Sequence, residues 1–366
     1  MTNWPTKKLG EVAEVSWGNT SITKASYLSK GYAAYSATGP DGFLKDFEYD
    51  RQAIVLSAIG AKCGKFFYAQ GRWTAIKNTI VIYPKISSLD VKFLFYYLNP
   101  SLWPVSGAGQ PFITMGGAQK VEIKIPSTKI QQKIIKRLDA IRKAQELCDT
   151  QIQKIEELFV SQLFKEFNFN KDLDLKKLED VATITSSKRI HQGDYVGSGI
   201  AFYRTKEIVE LSQNKPISLN LYISGDQFNK IKNQFGIPKK GDILISAVGT
   251  IGISWVVSDD SEFYFKDGNL LWIKDFKEIE PTYLKDFLDY SFSSVSGLAA
   301  GGAYKALTII KLKQFQIPLP PIAKQKETIE RLDAIQDYKN LLLRQKSLLK
   351  ELFDSVLYKS MNGEMD

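Results

Sequence analysis

Apolar residues recur at seven-residue intervals along two long stretches of the chain. The first stretch runs from about Thr128 to Lys165, and its recurring positions are Ile134, Ile141, Cys148, Ile155 and Gln162. In the second stretch the corresponding positions are Ile335, Leu342, Leu349 and Val356. A heptad pattern of this length predicts two long helices with coiled-coil packing. Prolines precede both stretches, at positions where a helix tolerates them or begins: Pro126 and Pro320-Pro321.

The remaining segments have the pattern of strand-rich mixed globules. Short runs rich in Val, Ile, Tyr and Phe lie between Gly, Asn, Asp and Pro, and they predict strands at Ala53–Leu56, Thr79–Tyr83, Asp242–Ile245, Ile253–Val257 and Asn269–Ile273. Two further helices are predicted, at Val91–Leu98 and Pro281–Tyr290. Each is followed by a Gly-rich loop, at Ser106–Gly117 and Ser296–Ala303.

The two heptad stretches are copies of each other. Ile123–Ile141 aligns without a gap with Ile317–Ile335, and nine of 19 positions are identical, including Gln131/Gln325 and the run Arg-Leu-Asp-Ala-Ile. The segments before them correspond more loosely, as in the pairs Lys7–Ala13 with Lys176–Ala182 and Ser57–Gly60 with Ser246–Gly249. The second half carries about 20 extra residues before Ser246.

This order of blocks predicts an α+β protein with two pseudo-repeated mixed α/β domains separated by two long antiparallel helices. We expect the first globule over residues 1–127, the central helix over 128–168, the second globule over 169–320 and the C-terminal helix over 321–366. Two matched helices in one chain bury their apolar rows most simply against each other. The positions expected to join them are Ile134, Leu138, Ile141, Ile152, Leu332, Ile335, Leu342 and Leu349.

Composition excludes several classes of protein. The 366 residues include one histidine, His191, and two cysteines, Cys63 and Cys148, so neither a structural zinc site with four Cys or His ligands nor a disulfide framework is expected. The amino-terminal residues lack the apolar core of a signal peptide, and no run of 18 apolar residues occurs. We therefore expect a soluble, cytoplasmic protein with no membrane partner.

No catalytic set is apparent. Gly60–Lys65 resembles a phosphate-binding loop, but three residues instead of four separate its glycines and Phe66 stands where Ser or Thr is needed, so we expect a structural turn. The Asn/Asp-Pro-Pro-aromatic tetrad of DNA amino methyltransferases is not supplied by Asn99–Ser101. Glu122–Lys124 imitates the end of a nuclease metal motif, but the repeat assigns it to a strand. We expect a non-catalytic chain with no cofactor or metal of its own.

Charge favours a polyanionic partner. Lys and Arg total 49 against 40 Asp and Glu, a formal net charge of +9. A single lysine is usually a solvated surface residue, but both globules interleave basic residues with aromatic and small polar ones, the types that contact phosphates and base edges. The candidate DNA-binding residues are Lys24, Tyr35, Ser36, Thr38, Lys62, Lys65, Gln110, Lys188, Arg189, Tyr195, Tyr203, Arg204, Lys206, Tyr304 and Lys305.

Several short motifs add a family resemblance. Pro318–Ile329 has the sequence PLPPIAKQKETI, and Ser246–Gly252 is an S-x-x-G-x-x-G turn. The segments GQPFI at Gly109–Ile113 and GGAYKAL at Gly301–Leu307 each come shortly before one of the long helices. With the copied helices, these motifs resemble the specificity subunit of type I restriction–modification systems over nearly the whole chain. The first half departs from the pattern, because Ser57–Gly64 has one extra residue before its second glycine.

The resemblance implies a function in DNA recognition. Each globule would be a target recognition domain reading one half of a bipartite, asymmetric site on double-stranded DNA, and the helices would set the gap. A rod of about 38 helical residues is roughly 57 Å long, more than the roughly 34–36 Å of one B-DNA turn. Two adenine methyltransferase (modification) subunits would dock on the chain and bring S-adenosylmethionine. Restriction (motor) subunits would bring ATP and Mg²⁺.

Two other hypotheses remain open from the sequence. One is the recognition subunit of a related fused system, in which a single partner both methylates and cuts DNA. The other is a coiled-coil scaffold that binds protein partners and no DNA, and it predicts no effect of charge reversal at Arg204 or Lys188.

Overall fold

The computed structural model describes residues 4–168, 175–298 and 306–364 of the chain. Within it the chain divides into two compact units. Unit 1 consists of the residues up to Thr150 together with those from Leu343 onward, and unit 2 is Gln151–Leu342. Each unit holds one strand-rich repeat and parts of two long helices.

The repeat of unit 1 is built from short strands and three short helices. Its strands are β1 (Thr6–Lys8), β2 (Ala13–Trp17), β3 (Tyr32–Ser36), β4 (Gly39–Leu44), β5 (Tyr49–Asp50), β6 (Ala53–Ser57), β7 (Phe66–Ala69), β8 (Arg72–Ala75), β9 (Thr79–Pro84) and β10 (Glu122–Lys124). Its helices are α1 (Leu9–Val12), α2 (Val91–Tyr97) and α3 (Met115–Gln119). The first long helix, α4 (Thr128–Asn168), follows.

Unit 2 repeats this order with additions. Its strands are β11 (Leu175–Lys177), β12 (Thr183–Thr185), β13 (Tyr195–Val196), β14 (Ile200–Tyr203), β15 (Tyr222–Ile223), β16 (Ile243–Ser246), β17 (Ser254–Val256), β18 (Phe263–Phe265), β19 (Leu270–Lys274) and β20 (Gln316–Pro318). Its helices are α5 (Leu178–Val181), α6 (Thr205–Ser212), α7 (Gly225–Phe235), α8 (Pro281–Leu298) and α9 (Ile309–Lys313). The second long helix is α10 (Ile322–Met361).

Two of the three sheets in each unit have matching strand orders, and the third differs because β3 and β8 are its two central strands, whereas β14 and β18 lie at one end. Unit 1 has β1-β10, β2-β9-β6-β7 and β4-β3-β8-β5, and unit 2 has β11-β20, β12-β19-β16-β17 and β13-β15-β14-β18. The one parallel pair in each set also matches, β3 with β8 and β14 with β18. The predicted extra residues of the second half fall largely between β14 and β16, where unit 2 carries α6 and α7. The predicted fold class, two mixed repeats with long helices, is confirmed.

Two predicted loops begin or end differently. The loop expected over Ser106–Gly117 ends in helix α3, where the Thr114 side chain accepts a hydrogen bond from the Gly117 amide and caps the helix. Helix α8 continues to Leu298, beyond the expected start of the second loop at Ser296, and the rest of that loop, Ala299–Ala303, lies outside the described residues. The heptad pattern runs to about Lys165, and helix α4 ends at Asn168.

The long helices pair antiparallel inside each unit. In unit 1 the Gln145 amide donates to the Leu349 carbonyl at 3.2 Å, and Lys346 pairs with Asp149 at 2.7 Å. In unit 2 Lys339 pairs with Glu156 at 2.8 Å, and Glu166 accepts a hydrogen bond from Thr328 at 3.1 Å. In both units residue numbers on α10 fall as those on α4 rise, as an antiparallel pair requires.

The apolar rows of the helices face the interior of their units. Ile134, Leu138, Leu332 and Leu342 are buried, and the other four predicted packing positions, Ile141, Ile152, Ile335 and Leu349, are half-buried. Ile134 and Leu138 also belong to the core of unit 1, which includes residues of the sheet β2-β9-β6-β7 and the α10 side chains Phe353 and Val356. These residues therefore join helix to sheet as well as helix to helix.

A buried glutamine fixes the start of each long helix. The Gln131 amide donates to the carbonyls of Ser88 and Pro126, both at 2.8 Å, and its carbonyl oxygen accepts from the Asp90 amide at 2.8 Å. Gln131 is completely buried. Two of the contacts hold α4 to the residues that precede α2, and the third bonds Pro126, just before α4 itself.

The copied glutamine in unit 2 makes the same three bonds. Gln325, also fully buried, donates to the carbonyls of Glu278 at 2.9 Å and Pro320 at 2.8 Å, and it accepts from the Glu280 amide at 2.8 Å. The identity of this residue in the two repeats thus has a structural reason, since a buried amide with every partner in place specifies one geometry.

We predict that Gln131→Ala and Gln325→Ala each lower the free energy of unfolding by about 2 kcal/mol or more, because buried backbone groups lose their partners. Urea denaturation followed by circular dichroism measures the change. Gln151→Ala, at an exposed position of α4, is the control and should change stability little. Equal stability of all three variants would contradict the assignment.

Candidate nucleic-acid interface

The parallel strand pairs β3 with β8 and β14 with β18 place one candidate residue of each unit, Tyr35 and Tyr203, at equivalent positions. The Ile76 amide donates to the Tyr35 carbonyl at 2.9 Å, and the Lys266 amide donates to the Tyr203 carbonyl at 2.9 Å. Tyr35 is therefore the counterpart of Tyr203. The two repeats diverge directly after these tyrosines, because unit 1 passes from Ser36 through the turn at Thr38 into β4, whereas unit 2 passes from Arg204 into α6, which carries Lys206.

In unit 1 three candidates surround one carboxylate. Asp41 accepts hydrogen bonds from the Ser36 hydroxyl at 2.7 Å and the Tyr27 hydroxyl at 2.7 Å, from the Thr38 hydroxyl, and from the Lys24 ammonium group at 2.5 Å. Lys24 also donates to Thr38 at 3.1 Å. The side chains thus form one polar network around an anion.

This network sets the charge of Asp41. Burial of the carboxyl opposes ionisation, but the hydrogen bonds from Lys24, Thr38, Ser36 and Tyr27 outweigh it and lower the pKa of Asp41 below its ordinary value of 3.8. Burial and the neighbouring Asp41 raise the pKa of Tyr27, so this tyrosine stays a hydrogen-bond donor. The Lys24 side chain remains 58% exposed and available to a ligand.

A small pocket adjoins the network. Its volume is about 230 Å³, and it is lined by Thr23, Lys24, Ser36, Ala37, Thr38, Ile76, Lys77 and Asn78. Hydroxyl, amide and ammonium groups, the types that contact base edges and phosphates, therefore line one concave surface. Lys77 and Asn78 follow β8 and were not among the predicted residues.

The other unit 1 candidates lie on two loops that touch. The Gly60 amide donates to the Pro111 carbonyl at 2.9 Å, and the Ile113 amide donates to the Ala58 carbonyl at 2.8 Å. The turn 57–65 carries Lys62 and Lys65, and the loop 106–113 carries Gln110. All three side chains are exposed, so this joint surface is basic and polar.

The same turn exists in unit 2 without the lysines. The Gly64 amide donates to the Ser57 carbonyl at 2.9 Å, and the Gly252 amide donates to the Ser246 carbonyl at 2.9 Å. Both glycines have positive φ, +88° and +86°. A side chain at Gly252 would also meet Phe292. The expected structural turn at Gly60–Lys65 is thus confirmed.

In unit 2 the basic candidates are held by carboxylates. Arg204 donates to both oxygens of the fully buried Glu207, at 2.8 and 3.3 Å, and to Asn220 at 2.9 Å. The hydrogen bonds that Arg204 donates to Glu207 raise the pKa of Arg204, although burial opposes this. Lys206 lies 3.9 Å from Glu210 and is 56% exposed, so it is the freer cation.

Two further basic candidates of unit 2 stand beside aromatic or acidic residues. The Lys188 ammonium group is 4.5 Å from the centre of the Phe235 ring. Arg189 pairs with Asp267 at 3.0 Å but is 72% exposed. Tyr304 and Lys305 lie outside the described residues.

The aromatic candidates pack inward, contrary to a role at the surface. Tyr35 is buried, with its ring edge on Trp73 and its hydroxyl 3.3 Å from the Tyr68 carbonyl. Tyr203 stacks on Phe263 with ring centres 4.6 Å apart. Tyr195 is half-buried against Phe202. The rings of these tyrosines thus pack against the cores beneath the candidate surfaces, and a contact of these residues with DNA stays a prediction.

Sequence reasoning missed the anionic half of both sites. Asp41 and Glu207 orient the polar and basic candidates, but no motif in the sequence singles out either residue. Within the described ranges no group of three or more His, Cys, Asp or Glu residues is arranged to hold a metal ion. Those same ranges contain no helix that is long and apolar enough to span a membrane.

Comparison with known proteins identifies similar chains. The family described as type I restriction modification DNA specificity domain matches residues 1–157 and 170–350. A protein of Haemophilus influenzae assigned as a type I restriction enzyme specificity subunit is 28% identical over 354 residues, covering 91% of this chain and 88% of that protein. A type I restriction enzyme specificity subunit of Methanocaldococcus jannaschii is 20% identical, with 99% and 93% covered.

Solved structures share the fold. The S subunit of a type I restriction–modification system from M. genitalium superposes with a TM-score of 0.61 at 15% identity, over 98% of this chain and 96% of that one. A chain from a study of complex assembly and conformational transition in the type I system gives 0.64 at 18% identity, over 98% and 97%.

We predict that Asp41→Asn destabilises unit 1 near neutral pH, and that the deficit shrinks as the pH falls. The folded state lowers the pKa of Asp41, so its contribution is present above the unfolded value of 3.8 and is lost as pH falls towards the folded one. Thermal unfolding between about pH 3 and pH 7 tests this. Asp46→Asn, at an exposed carboxylate, is the control. A deficit independent of pH would refute the role of the charge.

Proposed function

The chain belongs to the type I restriction–modification DNA specificity family, and from this premise we propose that each unit reads one half of a bipartite, asymmetric site on double-stranded DNA. The observation that carries the proposal is one strand frame that leads into different surface segments in the two units. After the equivalent tyrosines, unit 1 continues through Ser36 and Thr38 into β4, whereas unit 2 continues through Arg204 into α6, which carries Lys206. Two copies of one frame that present different polar and basic side chains suit the reading of two different sequences.

Phosphate contacts would come from exposed cations. Lys62 and Lys65 of unit 1 are exposed and have no ion pair among the residues described, and Lys206 and Arg189 of unit 2 are more than half exposed. Such contacts fix the register on the duplex and make binding depend on salt. Hydroxyl and amide groups of the unit 1 pocket, such as Thr38 and Asn78, would then contact base edges.

The long helices would set the distance between the half-sites. The 41 residues of α4 correspond to a length of about 60 Å, which exceeds one turn of B-DNA. Their antiparallel pairing within each unit resists a change in that length. The helices would also provide docking surfaces for two adenine methyltransferase subunits, which bring S-adenosylmethionine. Restriction subunits would supply ATP hydrolysis and Mg²⁺-dependent cleavage, so this chain would act by recognition alone.

We predict that Lys62→Ala/Lys65→Ala weakens DNA binding about fivefold to twentyfold at low salt, because two phosphate contacts are lost. The slope of log affinity against log salt should decrease by about one to two. Fluorescence anisotropy of the chain in complex with its methyltransferase subunit measures both quantities.

Lys154→Ala/Lys350→Ala removes the same charge from exposed helix positions and is the matched control. A chain that binds no duplex in a salt-dependent way would contradict the proposed function and favour the protein scaffold instead.

We predict that Thr38→Ala and Lys206→Ala relax sequence preference in different halves of the site. Thr38 would contact DNA only from unit 1 and Lys206 only from unit 2. One base-edge contact is worth about 1–3 kcal/mol of discrimination between bases. Selection of bound duplexes from a randomised pool, followed by sequencing, identifies the affected positions. Loss of preference in the same half for both variants would contradict the assignment of one half-site to each unit.

A further inference from the structure

The copied helices carry opposite charges at equivalent exposed positions. Gln131 and Gln325 make the same three hydrogen bonds, so residues at equal distances from them lie on the same side of their helix. Lys133 of α4 corresponds to Glu327 of α10. In the same way Lys136 corresponds to Glu330, and Lys143 corresponds to Asp337.

The lysine face of unit 1 is formed by Lys129, Lys133, Lys136 and Lys143. These side chains line one shallow groove of about 730 Å³ together with Gln132, Ile135, Asp139 and Ala140. All four lysines are exposed, and none has an ion pair within the part of the chain that the structure describes. The nearest carboxylate on the face, Asp139, is already bound by Lys92 at 2.7 Å and by the Tyr96 hydroxyl at 2.6 Å. The lysine face therefore carries positive charges without an ion-pair partner along about 21 Å of the helix.

The acidic face of unit 2 is formed by Glu327, Glu330, Asp333 and Asp337 at the corresponding turns of α10. Glu327 is compensated by Lys324 at 3.0 Å and by Arg331, whereas Glu330 and Asp337 have no ion pair among the described residues. Burial is the largest cause that raises the pKa of Asp333, and the charge of Asp337 adds to it.

A neighbouring helix adds to the contrast. Gln131 binds the Asp90 amide and Gln325 binds the Glu280 amide, so Tyr96 of α2 corresponds to Asp286 of α8. Asp286 therefore places a carboxyl group beside the acidic face, at the position where Tyr96 lies beside the lysine face. The pKa of Asp286 is raised to about 6, chiefly by burial and also by the charges of Asp289 and Asp333, although the neighbouring Lys285 lowers it.

We propose that the lysine face and the acidic face are two unequal docking sites for two copies of one acidic-surfaced partner, the methyltransferase subunit, and that the first copy binds the lysine face. The inference rests on the proposed function. A partner that binds twice needs a docking element that occurs twice, and the copied helix starts are such elements. One protein surface cannot be complementary in charge to both faces.

The uncompensated lysines determine the order of binding. An acidic partner surface gains ion pairs at the lysine face and meets like charges at the acidic face, which costs free energy. Each exposed pair contributes little alone, but four lysines act together. Because exposed charges are screened, added salt should weaken the first step and leave the second unchanged or stronger. The 1:1 complex should therefore accumulate at low salt.

Titration of the methyltransferase subunit into the full chain, followed by native mass spectrometry and sedimentation, tests the order. At about 50 mM salt we expect two dissociation constants that differ about tenfold or more, and at about 500 mM a difference of less than about threefold. Lys136→Glu/Lys143→Glu gives both faces acids at these positions, and the two constants should converge near the weaker one. Glu330→Lys/Asp337→Lys should make them converge near the tighter one.

Lys154→Glu/Lys350→Glu changes the net charge equally outside the faces, and the 1:1 intermediate should persist. Equal constants for the unaltered chain, or the same response to this control, would overturn the inference and leave the proposed function intact. Failure of the methyltransferase subunit to bind any variant would overturn both. If the chain alone dimerises at low salt and either face variant abolishes the dimer, the faces bind a second copy of this chain and the inference is wrong.

Discussion

One buried amide at the start of each long helix is the contact on which the rest of the structure depends. Gln131 and Gln325 each form hydrogen bonds with three backbone groups. Two of these groups lie just before α2 in unit 1 or α8 in unit 2, and the third belongs to the proline that precedes the long helix. Because the amide is fully buried, no water can replace a lost partner. The helix therefore leaves its repeat in one fixed direction. The proposed role of the helices, to set the distance between two half-sites on DNA, would need this property.

The shared frame explains which residues can vary. Burial and the antiparallel pairs β1-β10 and β11-β20 fix the closing strands of both repeats, and the backbone bonds of the turns at Gly64 and Gly252 coincide. The segments after β3 and β14 lie outside this shared frame, since β3 leads into β4 and β14 leads into α6, so the two repeats present different side chains there. The exposed sides of the helix starts are equally unconstrained, and there the two copies have acquired opposite charges.

The sequence predicted the architecture because the architecture follows from apolar patterning and repetition. The heptads predicted α4 and α10, although α10 ends at Met361 and not at residue 366, and the buried strands β6, β9, β16 and β19 coincide with the predicted apolar runs. The identity of Gln131 and Gln325 was visible, but its cause was not, since two of the three partners of each are backbone groups more than 40 residues away. The sequence did not show that Tyr35 and Tyr203 pack inward, because an aromatic ring suits a core and a base stack equally well. Asp41 and Glu207 were missed because an acid in a basic surface has no sequence signature.

Single-molecule mapping of methylated adenines in genomic DNA, compared between the host strain and a deletion of this gene, tests the central claim most directly. The account predicts that methylation disappears at one split, asymmetric motif and persists at every other. Restoring the gene should restore that motif. An unchanged pattern, in cells where the chain and its methyltransferase subunit are both shown to be expressed, would contradict the claim that this chain selects the DNA site.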